Sequence, residues 1–142
     1  MSLLVIRKVD KLIKKFNTNC PFKIAKSLGI QIMYEDLGST LGYYNQSFRV
    51  KIIHINQKAS SNHKKFICAH ELGHAICHPR ANTPFLRKHT LFSTDKMESE
   101  ANLFAIRLLF EKDYFDGQLS IDDAVEQYGI PEKFILNNLK GE

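Results

Sequence analysis

Long apolar runs are missing from this chain. Nothing in it approaches the roughly 20 consecutive apolar residues that cross a bilayer, which argues against a membrane span. Its opening Leu3-Leu4-Val5-Ile6 is too short for a signal-peptide core, and no small-residue cleavage site follows. Cysteine is scarce as well: Cys20, Cys68 and Cys77 are odd in number, and none pairs at the close spacing of a zinc knuckle or redox motif. A disulfide framework is therefore not expected, and a reducing, cytoplasmic setting is the simpler reading. Internal repeats, low-complexity tracts and Gly/Ser linkers are absent, which leaves no sign of a solenoid or of a firm domain boundary.

What remains is an ordinary globular composition, 44% hydrophobic and 25% charged over 142 residues. A domain of about 150 residues buries roughly 70% of its unfolded surface and needs no staples. One domain over 1–142 is expected, with a core at 1–110 and a helical extension at 111–142. The formal net charge is +5, but lysines are spread along the chain and interleaved with Asp and Glu. That pattern describes a solvated basic surface better than a nucleic-acid footprint.

Periodicity outlines the elements. Val9, Leu12, Ile13 and Phe16 recur at helical spacing with lysines between them, giving an amphipathic helix. A short helix from Pro21 to Leu28 is stopped by Gly29. Ile30–Tyr34 alternates like a strand, and the segments Leu41–Tyr44 and Phe48–Ile55 predict a hairpin turning at Asn45-Gln46-Ser47. Ser61 to His78 is helical in pattern and ends at Pro79. Pro79–Thr94 has no clear period, and a loop of more than about 12 residues is ordinarily functional or mobile. A strongly apolar helix is expected from Asp95 to Phe110, then shorter ones near Ser120–Tyr128 and Pro131–Leu139. Helices flanking a small, mostly antiparallel sheet make the fold α+β.

One motif carries chemistry: His70-Glu71-Leu72-Gly73-His74. Side chains four apart on a helix share a face about 5–6 Å apart, so both imidazoles can converge on one Zn²⁺. Glu71 projects about 100° around from the first ligand. It is thereby set to flank the ion and take a proton from an attacking water as general base. Phe66, Ile67, Ala69, Leu72, Ala75 and Ile76 give this helix apolar faces suited to a core. Gly73 costs about 1 kcal/mol in a helix relative to Ala, which is explained if another backbone approaches closely. His78 lies too far along the helix, about 12 Å from His70, to share the ion, so a supporting or helix-capping place suits it better. Cys68 and Cys77 read as packing residues.

A catalytic zinc needs a third protein ligand and an open position. Glu98 and Glu100 are the candidates. Asp95 followed by Glu98 fits a capping box, which gives Glu98 a sufficient structural task. Glu100 borders the apolar series Ala101, Phe104, Ala105 and Leu108, where a carboxylate is costly unless paired or metal-bound. Helix logic therefore favours Glu100. Arg107 is expected to pair with Glu111.

The run Phe66-Ile67-Cys68-Ala69-His70-Glu71-Leu72-Gly73-His74, followed by Glu98-Ser99-Glu100-Ala101-Asn102-Leu103-Phe104-Ala105, resembles the ImmA/IrrE family of zinc peptidases. Ile53-His54-Ile55-Asn56 is similar to the family's pattern too. Tyr34-Glu35-Asp36-Leu37-Gly38 and Asn82-Thr83-Pro84-Phe85-Leu86 point to the ImmA branch of phages and integrative elements. The resemblance spans about Ile30 to Phe110. It implies a minimal zincin-like metallopeptidase, with one Zn²⁺ on His70, His74 and Glu100, and Glu71 catalytic. It also implies a protein substrate, a helix-turn-helix repressor whose cleavage derepresses the mobile element. The chain departs from the family at Leu108-Leu109-Phe110-Glu111, where members carry Leu-Leu-Met-Pro, so the helix is expected to run on. The last helices resemble the family's helix-turn-helix-like element. Only Lys133 and Lys140 are basic in the final pair, which favours a helical cap over DNA contact.

For amide hydrolysis, Tyr43, Tyr44 and His89 are candidate oxyanion donors, and the strand through Ile53, His54, Ile55 and Asn56 is a candidate edge for an extended substrate. Two rival readings stay open: a non-catalytic zinc-fold regulator that binds a repressor, and a DNA-binding protein with structural zinc.

Overall fold

The computed structural model describes residues 3–80, 96–110, 117, 120–128, 132 and 135. Helix α1 (Leu3–Phe16) begins about two turns before the periodic stripe of Val9, Leu12, Ile13 and Phe16. Val5 and Val9 are fully buried on that stripe, and Asn17 ends the helix at a φ of 53°. Helix α2 (Pro21–Ser27) has proline in its first turn. It closes as a Schellman motif: Ile30 N–H donates to Ala25 O and Gly29 N–H to Lys26 O, with Gly29 at a φ of 77°.

Strands β1 (Gln31–Glu35), β2 (Gly42–Ser47) and β3 (Val50–Asn56) form one sheet in the order β1-β3-β2. β2 and β3 are antiparallel, whereas β1 lies parallel to β3, so the sheet is mixed where mostly antiparallel pairing was expected. The hairpin also turns later than the sequence suggested. Ser47 pairs with Val50, and the turn is Phe48-Arg49, with φ values of 50° and 71°. Both central residues of a type I′ turn need positive φ, a position that Asn and Gly favour and Phe and Arg do not. The turn was hidden behind residues that carry no turn signal.

Helix α3 (Ser61–Cys77) is capped by Ser60, whose hydroxyl accepts from the His63 N–H. It lies between the sheet and α4 (Lys96–Leu109), and α1 packs on α4. A helix enclosed on opposite sides must be apolar nearly all round. Phe66 through Ala75 are accordingly all buried. Gly73 is the point of closest approach: a Cβ there would stand 3.0 Å from Phe104 Cβ and 3.2 Å from Ala101 Cα. This is the backbone proximity that a mid-helix glycine implies.

α4 stops at Leu109 and Phe110 takes a turn, despite the missing proline. Helix α5 (Ile121–Tyr128) starts with a reciprocal cap between Ser120 and Asp123. Its Tyr128 ring meets Phe110 edge-on at 4.8 Å. The rest of the expected Pro131–Leu139 helix, with Lys133 and Lys140, lies outside the described residues apart from positions 132 and 135. Among the described residues no helix is long and apolar enough to cross a membrane.

Candidate metal centre

Helix α3 presents His70 and His74 on one face, with ring centroids 4.9 Å apart and the rings nearly perpendicular. The carboxylate opposite them belongs to Glu98, in the first turn of α4. Its Oε1 lies 3.1 Å from His70 Nε2 and its Oε2 lies 3.0 Å from His74 Nε2. Ligand atoms of these three buried residues all fall within 4.8 Å of one another. Glu71, wholly buried, stands beside them with Oε2 4.0 Å from His70 Nε2.

The third position corrects the sequence expectation. Glu100 is not in the group; its Oε1 accepts from His78 Nε2 at 2.9 Å. At about 100° per residue, Glu98 lies within about 60° of Ala101, Asn102 and Ala105, the α4 face that meets α3, whereas Glu100 points some 160° away from Glu98. The signal was the buried polar stripe Glu98–Ala101–Asn102–Ala105, and the capping-box assignment drew attention from it. Asp95, the other half of that box, lies outside the described residues. Asn102, also missed, is buried one turn further along α4 and favours the charged form of the His70 ring.

Electrostatics suit a cation. Burial pushes the His70 imidazole down to about 4, although Glu98 and Asn102 pull it upward and His74 adds to the fall. A neutral ring with an available lone pair is the result at physiological pH. Burial alone would raise Glu98, but the two imidazoles outweigh it and hold the carboxylate at about 2. Burial, then the Glu98 charge, raises Glu71 well above the usual carboxylate range. Among the described residues neither Glu71 oxygen has a hydrogen-bond partner. A buried carboxylate in that position is expensive unless a cation compensates it. Two imidazoles and a carboxylate are also the donor set that catalytic zinc accepts, so the residues fit a metal.

The low-order candidates fare differently. Strand alternation puts Ile53, Ile55 and Tyr44 on the α3 side of the sheet and His54 and Tyr43 on the other side. Tyr44 is buried and its hydroxyl donates to the Pro79 carbonyl at 2.7 Å, so it anchors the turn after α3 and is not free to serve as an oxyanion donor. Tyr43 stacks on His54 at 4.0 Å, away from the centre. His54 Nε2 lies 2.9 Å from Asn45 Oδ1, and its Nδ1 pairs with Glu35. Asn56 donates to the Gly38 and Thr40 carbonyls and thus organises a loop. β3 is the central strand and offers no edge; among the described residues the edge strand beside α3 is β2. A Cβ at Gly42 would stand 2.6 Å from Ile67 Cγ2 and 3.7 Å from Glu71 Cγ. His89 and the segment Asn82–Leu86 lie outside the described residues. Arg107 forks onto Asp10 of α1 at 3.0 and 3.2 Å. Glu111, its expected partner, lies outside the described residues.

An α+β fold with a buried His-His-Glu group suits a metallopeptidase, and that is the class the comparisons give. Residues 25–140 match the peptidase M78 family, described as the IrrE N-terminal-like domain, and the chain belongs to that family. It is 40% identical over 133 residues to the uncharacterized immunity region protein 2 of Bacillus phage phi105, covering 90% of this chain and 84% of that protein. It is 36% identical over 104 residues to the metallopeptidase ImmA of Bacillus subtilis strain 168, covering 72% of this chain and 60% of ImmA. The chain is thus a member of a metallopeptidase family, with a buried group suited to a metal ion and a protein as its class of substrate.

Proposed function

We propose that the chain is a zinc-dependent endopeptidase that cleaves a helix-turn-helix repressor of a phage or integrative element. The observation that carries the reading is the buried convergence of His70, His74 and Glu98 beside the uncompensated carboxylate of Glu71. His70, His74 and Glu98 would hold the ion, with Glu98 taking the place first assigned to Glu100. A zinc ion held there would supply Lewis acidity, which makes water a competent nucleophile near neutral pH.

The protein's own residues do the rest. Glu71 takes the proton of the attacking water and then hands it to the leaving amine. Its buried setting, which favours the protonated form, strengthens it as a base for the first of these transfers. Glu98 orients His70 from α4. An extended substrate pairs with the free edge of β2, whose Gly42 brings the backbone close to Glu71. Residues 1–110 serve as the zincin-like core and 111–142 as a helical extension beside it.

A repressor as substrate is supported by the phage phi105 relative, an immunity region protein, and by the ImmA relative, a metallopeptidase. The test is incubation of the purified protein with the repressor encoded beside it. Wild type is expected to cut the repressor, and Glu71→Gln to retain zinc without cutting. Relief of repression by Glu71→Gln, with the repressor intact, would favour the non-catalytic regulator instead.

A further inference from the structure

Beyond the ion's own ligands, a chain of side chains runs outward from His74. Its Nδ1 lies 3.0 Å from His78 Nδ1, and His78 Nε2 lies 2.9 Å from Glu100 Oε1. The end of this chain fixes its direction. A carboxylate oxygen accepts, so His78 Nε2 carries the proton. A neutral imidazole has one donor and one acceptor nitrogen, so His78 Nδ1 accepts. His74 Nδ1 must then be the donor, which leaves the lone pair of His74 on Nε2. That nitrogen faces Glu98 Oε2 at 3.0 Å but makes no hydrogen bond among the described residues, so the geometry asks for no proton on it. Reversed polarity would set a lone pair against Glu100 and a proton on the nitrogen that faces the cage.

We propose that His78 and Glu100 are positioning residues that hold His74 in the Nδ1–H tautomer, with its Nε2 lone pair presented to the ion. The inference rests on the metal-site reading above. The backbone supports the relay at both ends. His78 caps α3, its N–H donating to the His74 carbonyl at 2.7 Å, and the following Pro79 is tied to β2 through Tyr44. Glu100 comes from α4, two residues after Glu98, so one helix supplies both the carboxylate of the cage and the one that directs the relay. Groups that hydrogen-bond the outer nitrogen of a ligating histidine typically change metal affinity by about 10–100-fold when removed.

Three variants separate this role from a plain interhelical link. Glu100→Gln keeps an acceptor oxygen for His78, Glu100→Lys offers only donors, and His78→Ala breaks the chain. Imidazole ¹⁵N–¹H correlation spectra of the metal-free proteins report which His74 nitrogen is protonated, and chelator competition reports zinc affinity. Wild type and Glu100→Gln are expected to show His74 protonated on Nδ1. Glu100→Lys and His78→Ala are expected to lose that preference and bind zinc about 10–100-fold more weakly, with folding intact by circular dichroism. A wild-type His74 protonated on Nε2, or unchanged zinc affinity in both disrupted variants, overturns the relay. Failure of wild type itself to bind zinc would instead strike at the metal-site reading.

Discussion

Glu71 shows how a single residue is set against stability. It is wholly buried, neither oxygen has a hydrogen-bond partner among the described residues, and its carboxyl prefers to keep its proton. A carboxyl whose folded pKa is raised makes the native state bind more protons than the unfolded one, so stability falls as pH rises above the usual carboxylate range. In the metal-free protein, Glu71→Gln should therefore raise the melting temperature. The gain should be larger at pH 8 than at pH 5, and on the order of 1–3 kcal/mol at the higher pH. Thermal unfolding in chelator at the two pH values checks this; a variant less stable than wild type at pH 8 would contradict it. The same scale shows where the sequence could be read. His70, Glu71 and His74 were legible because a four-residue spacing on one helix is a local fact. The choice between Glu98 and Glu100 was not, because it depends on which face of α4 meets α3, and both faces carry apolar residues.

At the scale of elements, helices were read within a residue or two wherever a stripe and a cap coincided, as in α2, α3 and α4. The sheet was harder. Its alternation was visible, but the parallel pairing of β1 with β3 and the central place of β3 are long-range facts that no local pattern encodes. This is why β3 reads in the sequence as a possible substrate edge, which its central place in the sheet does not offer. The β2–β3 turn also went unread, since Phe48 and Arg49 occupy positive φ without the residues that prefer it. Phe48 is 98% exposed, so no packing contact offsets that cost. Replacing Phe48-Arg49 by Asn-Gly should stabilise the fold by about 1–2 kcal/mol. Denaturant unfolding of the double variant measures it, and an unchanged or lower midpoint would count against the strained turn.

For the whole molecule, α3 is the element on which everything converges. It forms the core, carries two of the metal-binding candidates, and is clamped by the sheet on one side and α4 on the other. Since Glu98 joins α4 to α3 through the site, metal binding and folding are coupled. A ligand at 100 times its dissociation constant stabilises by about 2.7 kcal/mol, which for a domain of this size is roughly 10 °C in melting temperature. Chelation should lower the wild-type transition by that order and leave a His70→Ala variant almost unmoved, as read by differential scanning calorimetry with and without chelator. Equal shifts in the two proteins would place the stabilising ion elsewhere. If His70, His74 and Glu98 together hold the ion, the zinc content per chain depends on all three. Wild type and Glu71→Gln should each carry one equivalent after purification and Glu98→Ala close to none; a full equivalent in Glu98→Ala would contradict the account.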